Sequence, residues 1–241
     1  RGQGHIKRFG SFPNTKIVAI SDLHETNISK SLSIIDNLKT SKSHTNPKTY
    51  YGNKNKWRLM LKETDADIVV ISTDWDTHGI MAIETMKNNM HAFVEVPLAN
   101  TIKDLWEIVN TSEKFQKHCM MMENVNYGRE ELMFLNICRR GLLGELYHGE
   151  AAYIHDLRWQ MYEEEIGTGS WRTLQYEKKK GNLYPTHGLG PVSQYMNLLR
   201  SEDTFKRLVS FSSSALGREK FASENFNENH LFMIGINSQV I

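Results

Sequence analysis

The sequence contains no apolar run approaching the roughly 18 residues that a membrane-spanning helix needs, so no span is expected. Neither sign of charge is in excess. The 29 Lys and Arg against 28 Asp and Glu leave a formal net charge of +1. That balance offers no bulk attraction to nucleic acid or to an anionic membrane. Cysteine is scarce: Cys119 and Cys138 form no metal or redox motif and neither demand nor exclude an oxidising compartment. No spacing of His, Asp and Glu argues for a metal ion. No pair of carboxylates can be assigned to general acid and base work either. The run Glu163-Glu164-Glu165 reads as a solvated surface turn. The chain opens at Arg1 with no Met and no signal peptide, and Phe232 to Ile241 is an apolar, strand-like stretch with no closing turn. Both ends are therefore expected to be cut, with any targeting signal out of view.

What is present is a soluble globular composition, 39% hydrophobic and 24% charged over 241 residues, enough for one large domain or two modest ones. Thr15 to Leu23 is a short β-branched run ending in an acid and reads as a buried parallel strand. Ser31 to Leu38 has helical spacing, Thr40 to Asn55 is a polar surface loop, and Trp57 to Lys62 looks helical. Asp67 to Thr73 is a second strand, Gly79 to Asn88 a helix, and His91 to Val96 a third strand stopped by Pro97. Thr101 to Ser112 places Ile102, Leu105, Trp106 and Val109 on one face behind a capping Thr101 and Asp104, and His118 to Glu123 is a fourth strand. Such alternation implies crossover connections and a doubly wound, Rossmann-like parallel sheet over residues 1–123, lacking its first strand.

Near Asn124 to Gly128 the pattern changes. A helix over Arg129 to Arg140 ends at Gly141, and Glu145 to His155 and Lys206 to Ala215 look like long strands. Residues 124–241 are therefore expected to form a second, incomplete α/β domain with an open, largely antiparallel sheet. Side-chain alternation puts Tyr147, Tyr153 and His155 on one strand face, either to stack on a sugar or to be covered by helices.

Ligands of open parallel sheets bind beyond the carboxyl ends of the strands. Asp22 sits at the first such end and can accept hydrogen bonds from both adenosine ribose hydroxyls while repelling a 2′-phosphate, or it serves as a turn residue. Gly2 lies 20 residues before Asp22, the usual separation of a dinucleotide glycine motif from its ribose acid. Thr73-Asp74-Trp75-Asp76-Thr77-His78 follows the second strand. It reads equally as a nicotinamide-ribose edge or as a helix cap by Asp74 or Asp76 with a partly buried Trp75. Glu95-Val96-Pro97 ends the third strand, where a carboxylate can hold ribose or carboxamide groups or where Pro simply stops the ladder.

In this order the segments resemble the glucose–fructose oxidoreductase and inositol dehydrogenase superfamily, with Val96 where its usual Glu-Lys-Pro marker has lysine. Val96, with Arg1-Gly2-Gln3-Gly4-His5, Trp75 to His78, Glu123-Asn124 with Tyr127, Tyr153 to Arg158, Trp171-Arg172 and Tyr184-Pro185-Thr186-His187-Gly188, is similar to glycoside hydrolase family 109, the NAD-dependent α-N-acetylgalactosaminidases. The resemblance runs to about Phe221. It implies that Arg1, Gly2, Asp22, Trp75, Asp76, Thr77, His78, Glu95, Val96 and Asn124 contact NAD, that Tyr153 and Arg172 contact a sugar, and that Tyr184 and His187 lie between the two and handle protons. It also implies a glycan bearing N-acetylgalactosamine as substrate and a secreted or periplasmic location. Whether the chain forms a homo-oligomer stays open.

In the implied chemistry, NAD removes hydride from C3 of the sugar, the ketone acidifies C2, a base takes that proton, the leaving group departs, water adds and hydride returns. His187 and a tyrosinate-forming Tyr184 suit the proton steps, three residues apart in one helical turn, with Gly188 and Gly190 allowing close approach. The same pair also reads as a cap and a core residue. The rival readings are a sugar or polyol dehydrogenase of the same superfamily and a non-catalytic remnant.

Overall fold

Short apolar runs that alternate with amphipathic segments build the first half of the chain. The computed structural model describes residues 1–38, 46–158, 170–179, 182–200 and 203–225. In order these form α1 (Gly2–Gly10), β1 (Ala19–Ser21), α2 (Glu25–Asp36), β2 (Lys48–Tyr50), α3 (Lys56–Glu63), β3 (Ile68–Ile71), α4 (Trp75–Lys87), β4 (His91–Val94), α5 (Ile102–Phe115) and β5 (Cys119–Met121). A 3-10 turn at Val125–Tyr127, α6 (Arg129–Arg139), α7 (Ser170–Lys178), α8 (Thr186–Tyr195) and α9 (Leu216–Asn225) follow. The chain divides into two units, Arg1–Met122 and Glu123–Ile241.

In the first unit every strand pairing is parallel. β1 pairs with β2, and β4 lies between β3 and β5. Parallel neighbours need crossover connections, which the intervening helices supply. Ile71, Ala82, Ile83, Met86, Ala92, Val94 and Ile108 form one core under β3, β4, α4 and α5, and Ile20, Ile28 and Ile35 form another around β1 and α2. Asp74 caps α4 by accepting from Asp76 N–H, and Thr101 caps α5 by accepting from Asp104 N–H. A methyl group on Gly79 would meet Asp104 Cβ at 3.2 Å, so this glycine is what lets α4 and α5 approach closely.

Two expectations change here. β2 falls inside the segment expected to be loop. Its three residues are too few for periodicity to register, and it is held by Lys48 N–H donating to Val18 O and by the buried Tyr50, whose hydroxyl donates to Glu63. Residues 39–45 of the same segment lie outside the described ones. The apolar stripe of α5 faces outward: Ile102 and Trp106 are 75% and 64% exposed, while Ile108 and Thr111 are buried. Periodicity marks which residues share a face. It does not say which face a close approach at Gly79 turns inward.

The regular elements of the described part of the second unit are helices, with a small core of Tyr176, Ala215 and Ala222. Glu145 to His155 and Lys206 to Ala215, expected as strands, have no strand partner among the described residues. Alternating side chains establish a face, but a strand exists only through a paired neighbour. Tyr147 is 95% exposed, so it does not join Tyr153 and His155, whose rings lie 5.0 Å apart. The Glu163 to Glu165 run and the expected Phe232 to Ile241 strand lie outside the described residues. No described helix is long and apolar enough to cross a membrane, and no described group of three His, Cys, Asp or Glu could hold a metal ion.

Candidate functional site

In the first unit, strand ends gather the residues expected to meet a dinucleotide. Asp22 directly follows β1, and its N–H donates to Tyr50 O. Its Oδ1 accepts from His24 N–H at 2.9 Å and from Asn27 Nδ2 at 3.1 Å, which aims the carboxylate and leaves Oδ2 without a bond among the described residues. One open, oriented carboxylate oxygen is what a ribose hydroxyl requires. Arg1 N-caps α1, its carbonyl accepting from Gly4 and His5 N–H. A Cβ on Gly2 would meet Ser72 Cβ at 3.7 Å, an ordinary contact, so packing alone does not demand glycine there.

The segment after β3 is mostly a helix start. Trp75 is buried in the unit. Asp76 Oδ1 accepts from Asn100 Nδ2 at 2.7 Å, and Thr77 Oγ1 lies 2.9 Å from Asp74 O. His78 is buried, with Nδ1 2.7 Å from Pro97 O and Nε2 3.1 Å from Thr73 O. Trp75 and His78, both expected at the cofactor, are buried in the unit, and both ring nitrogens of His78 face backbone carbonyls. The side chain of Val96 is buried as well and offers no acid or base.

Glu95 extends β4, its N–H donating to Ile71 O at 3.0 Å. Its Oε1 lies 2.6 Å from His5 Nε2. Burial pushes this carboxyl up, but the His5 hydrogen bond and the charges of His5 and Arg1 outweigh it and hold it below the usual range.

In the second unit, Glu123 is 1% exposed, and its Oε1 accepts from His187 Nδ1 at 2.6 Å and from Val125 N–H at 3.0 Å. Burial raises the Glu123 pKa, but these hydrogen bonds prevail and lower it. A carboxylate only accepts, so the His187 proton facing it sits on Nδ1. Nε2 then has no hydrogen bond among the described residues. The rings of Tyr184 and His187 stack, 5.2 Å apart and 2° from parallel, and Tyr153 lies 5.1 Å and 4.9 Å from them. The Arg172 guanidinium lies 5.7 Å from the Tyr184 ring.

Tyr184 is not poised as a tyrosinate. Burial pushes its phenol well above the ordinary value, and Arg172 only partly offsets this. Gly188 and Gly190 admit the protein itself: a Cβ would meet Ala151 Cβ at 2.9 Å and Asn126 Oδ1 at 2.6 Å. Asn124, exposed, opens the 3-10 turn. The structure thus clusters Tyr153, Arg172, Tyr184 and His187 and adds Glu123, to which the sequence had given no role. His5 and Asn27 were missed as well. For Glu123 the available signal was an acid at the end of a strand, the position Asp22 and Glu95 also occupy.

Comparison with known proteins bears on both units. Residues 2–123 match the family model described as the oxidoreductase family with the NAD-binding Rossmann fold, and residues 127–234 match that of the glycosyl hydrolase 109 C-terminal domain. A solved WlbA dehydrogenase from Chromobacterium violaceum, in complex with NADH and UDP-GlcNAcA, has the same fold. Its TM-score is 0.61 at 14% identity, over 88% of this chain and 54% of that one. The first unit therefore belongs to the oxidoreductase family with the NAD-binding Rossmann fold. The chain is also 53% identical, over 95% of its length, to a glycosyl hydrolase family 109 protein of Shewanella putrefaciens and to an alpha-N-acetylgalactosaminidase of Shewanella oneidensis. It belongs to glycosyl hydrolase family 109, and it spans about half the length of these relatives, 49% of each.

Proposed function

We propose that the protein is an NAD-dependent glycosidase acting on terminal α-linked N-acetylgalactosamine of glycans, with residues 124–241 contributing the sugar site. The observation that carries this reading is the Glu123–His187 pair. Its imidazole is tied at Nδ1 and open at Nε2, and it is stacked on a neutral tyrosine. A nucleophilic carboxylate must face the anomeric carbon, whereas Glu123 is buried with Oε1 held by two donors. It suits orienting a base.

NAD, when bound, supplies reversible removal of hydride from C3 of the sugar. Asp22 and Glu95 fit such a group: each offers one carboxylate oxygen that is open among the described residues, and the negative charge of Asp22 disfavours a 2′-phosphate. Arg1, Gly2 and Asn124 join them by the family resemblance. His187 Nε2 takes the proton from C2, and the imidazolium so formed is stabilised by the Glu123 carboxylate on its other nitrogen. Tyr184, kept protonated by burial, donates a hydrogen bond or a proton instead of abstracting one. Tyr153 and Arg172 border the same cluster and would hold the sugar ring.

The test follows product and cofactor together on a terminal α-N-acetylgalactosaminide. The proposed glycosidase releases the aglycone with no accumulation of NADH. Stoichiometric NADH without release would identify a dehydrogenase instead.

A further inference from the structure

The His5–Glu95 contact joins residues 90 positions apart and lies outside both the strand ladder and the apolar core. The two side chains are only 13% and 18% exposed, and their 2.6 Å separation is that of a strong, charge-assisted hydrogen bond. A carboxylate oxygen only accepts, so Nε2 of His5 carries the hydrogen. The imidazole is set by packing. Its ring lies 6.0 Å from that of Phe9 on the same helix, and Phe9 in turn lies 6.5 Å from Phe93 of β4. The Glu95 backbone is tied to Ile71, and the neighbouring Val96 side chain is buried. With the backbone fixed and Oε1 taken, the freedom left to the carboxylate is rotation about its own bonds. His5 removes that freedom. Oε2 remains without a hydrogen bond among the described residues.

We propose that His5 is a positioning residue for the cofactor: by holding Oε1 of Glu95 it fixes Oε2 as the acceptor offered to a hydroxyl or amide donor on the nicotinamide half of NAD. The inference rests on the first unit binding NAD through Glu95. The same contact, with Arg1 nearby, keeps the carboxylate ionised despite its burial. Asn27 stands in a comparable relation to Asp22 at the other ribose, so each acidic strand end is aimed by a side chain from the helix beside it.

The experiment compares NAD with AMP, which lacks the nicotinamide half, by calorimetry on the wild type, His5→Phe, His5→Gln and Glu95→Ala. Phe keeps the aromatic packing and removes the donor, while Gln restores a donor without a titratable ring. His5→Phe is expected to weaken NAD about tenfold or more, the scale for losing a hydrogen bond to a charged group, with AMP affinity unchanged. His5→Gln should recover most of the loss, and Glu95→Ala should match or exceed it, again sparing AMP. Undiminished NAD binding by His5→Phe, an equal loss of NAD and AMP, or no recovery in His5→Gln overturns the inference. If His5→Phe does not fold, Glu95→Ala decides: NAD affinity at the wild-type level means Oε2 holds nothing. A wild type that binds AMP but not NAD removes the reading on which the inference rests, a result distinct from any outcome in which the wild type binds NAD.

Discussion

Glu123 and His187 meet at 2.6 Å through a single geometry, carboxylate Oε1 to imidazole Nδ1, with the carboxylate buried and the opposite ring nitrogen open. That geometry selects one tautomer, with the hydrogen on Nδ1 and Nε2 left as the acceptor. Replacing Glu123 with Gln keeps the shape and removes the charge. Turnover is expected to fall about tenfold or more, with the steepest loss where the imidazolium must form, while NAD affinity stays near the wild-type value. The check is a kcat profile against pH alongside NAD titration. Unchanged turnover across the profile would leave Glu123 without a role.

Acid should unfold the protein through the same pairs. Glu95 and Glu123 both have carboxyls held below the usual range by histidine hydrogen bonds that outweigh burial. A lowered folded-state pKa contributes stability that is fully present above the unfolded value, about 4.3 for Glu, and is lost as pH falls through the lowered value. Melting temperatures should therefore drop as the pH is taken below roughly 4, and Glu123→Gln should shallow that drop. Parallel curves for the variant and the wild type would contradict this.

Cofactor choice is expected to rest on Asp22, one of whose oxygens is aimed by Asn27 and His24 N–H. The wild type should prefer NAD over NADP. Asp22→Ala should weaken NAD about tenfold and narrow the preference, and Asn27→Ala should do the same to a smaller degree. Competitive binding of the two nucleotides measures this, and equal wild-type affinities would refute the assignment.

Two glycine substitutions separate packing from propensity. At Gly188 a Cβ would come within 2.9 Å of Ala151 Cβ, which cannot swing away, whereas at Gly4, inside α1, it would meet nothing within 4 Å. Gly188→Ala should cost about 1–3 kcal/mol by overpacking, and Gly4→Ala should stabilise by up to about 1 kcal/mol through helix propensity. Chemical denaturation reads both, and the reverse order would contradict the packing described.

The strand ends of the first unit were legible because periodicity and acids mark them: Asp22, Glu95 and the Thr101 cap stand where the residue pattern put them. β2 was not, since three residues flanked by turns carry no period. The outward stripe of α5 was legible as a stripe and not as a direction, because the close contact at Gly79 decides which face turns in. At the site, Tyr184 and His187 were visible as a motif. Glu123 acquires meaning only when the chain brings it back, 64 residues away, onto His187 Nδ1. The pairing of His5 with Glu95 is of the same kind, since spacing carries no signal across 90 residues. The raised pKa of Tyr184 was not legible, because burial causes it and the motif does not report burial.

The proposed chemistry is tested most directly by running the hydrolysis of a terminal α-N-acetylgalactosaminide in heavy water, in a full-length protein carrying this chain, and locating deuterium in the released sugar. If His187 removes the C2 proton and elimination precedes addition of water, C2 of the product carries solvent deuterium, and His187→Ala loses turnover by about 100-fold or more while still binding NAD. Product that keeps its original hydrogen at C2 would contradict the account and require direct displacement at the anomeric carbon.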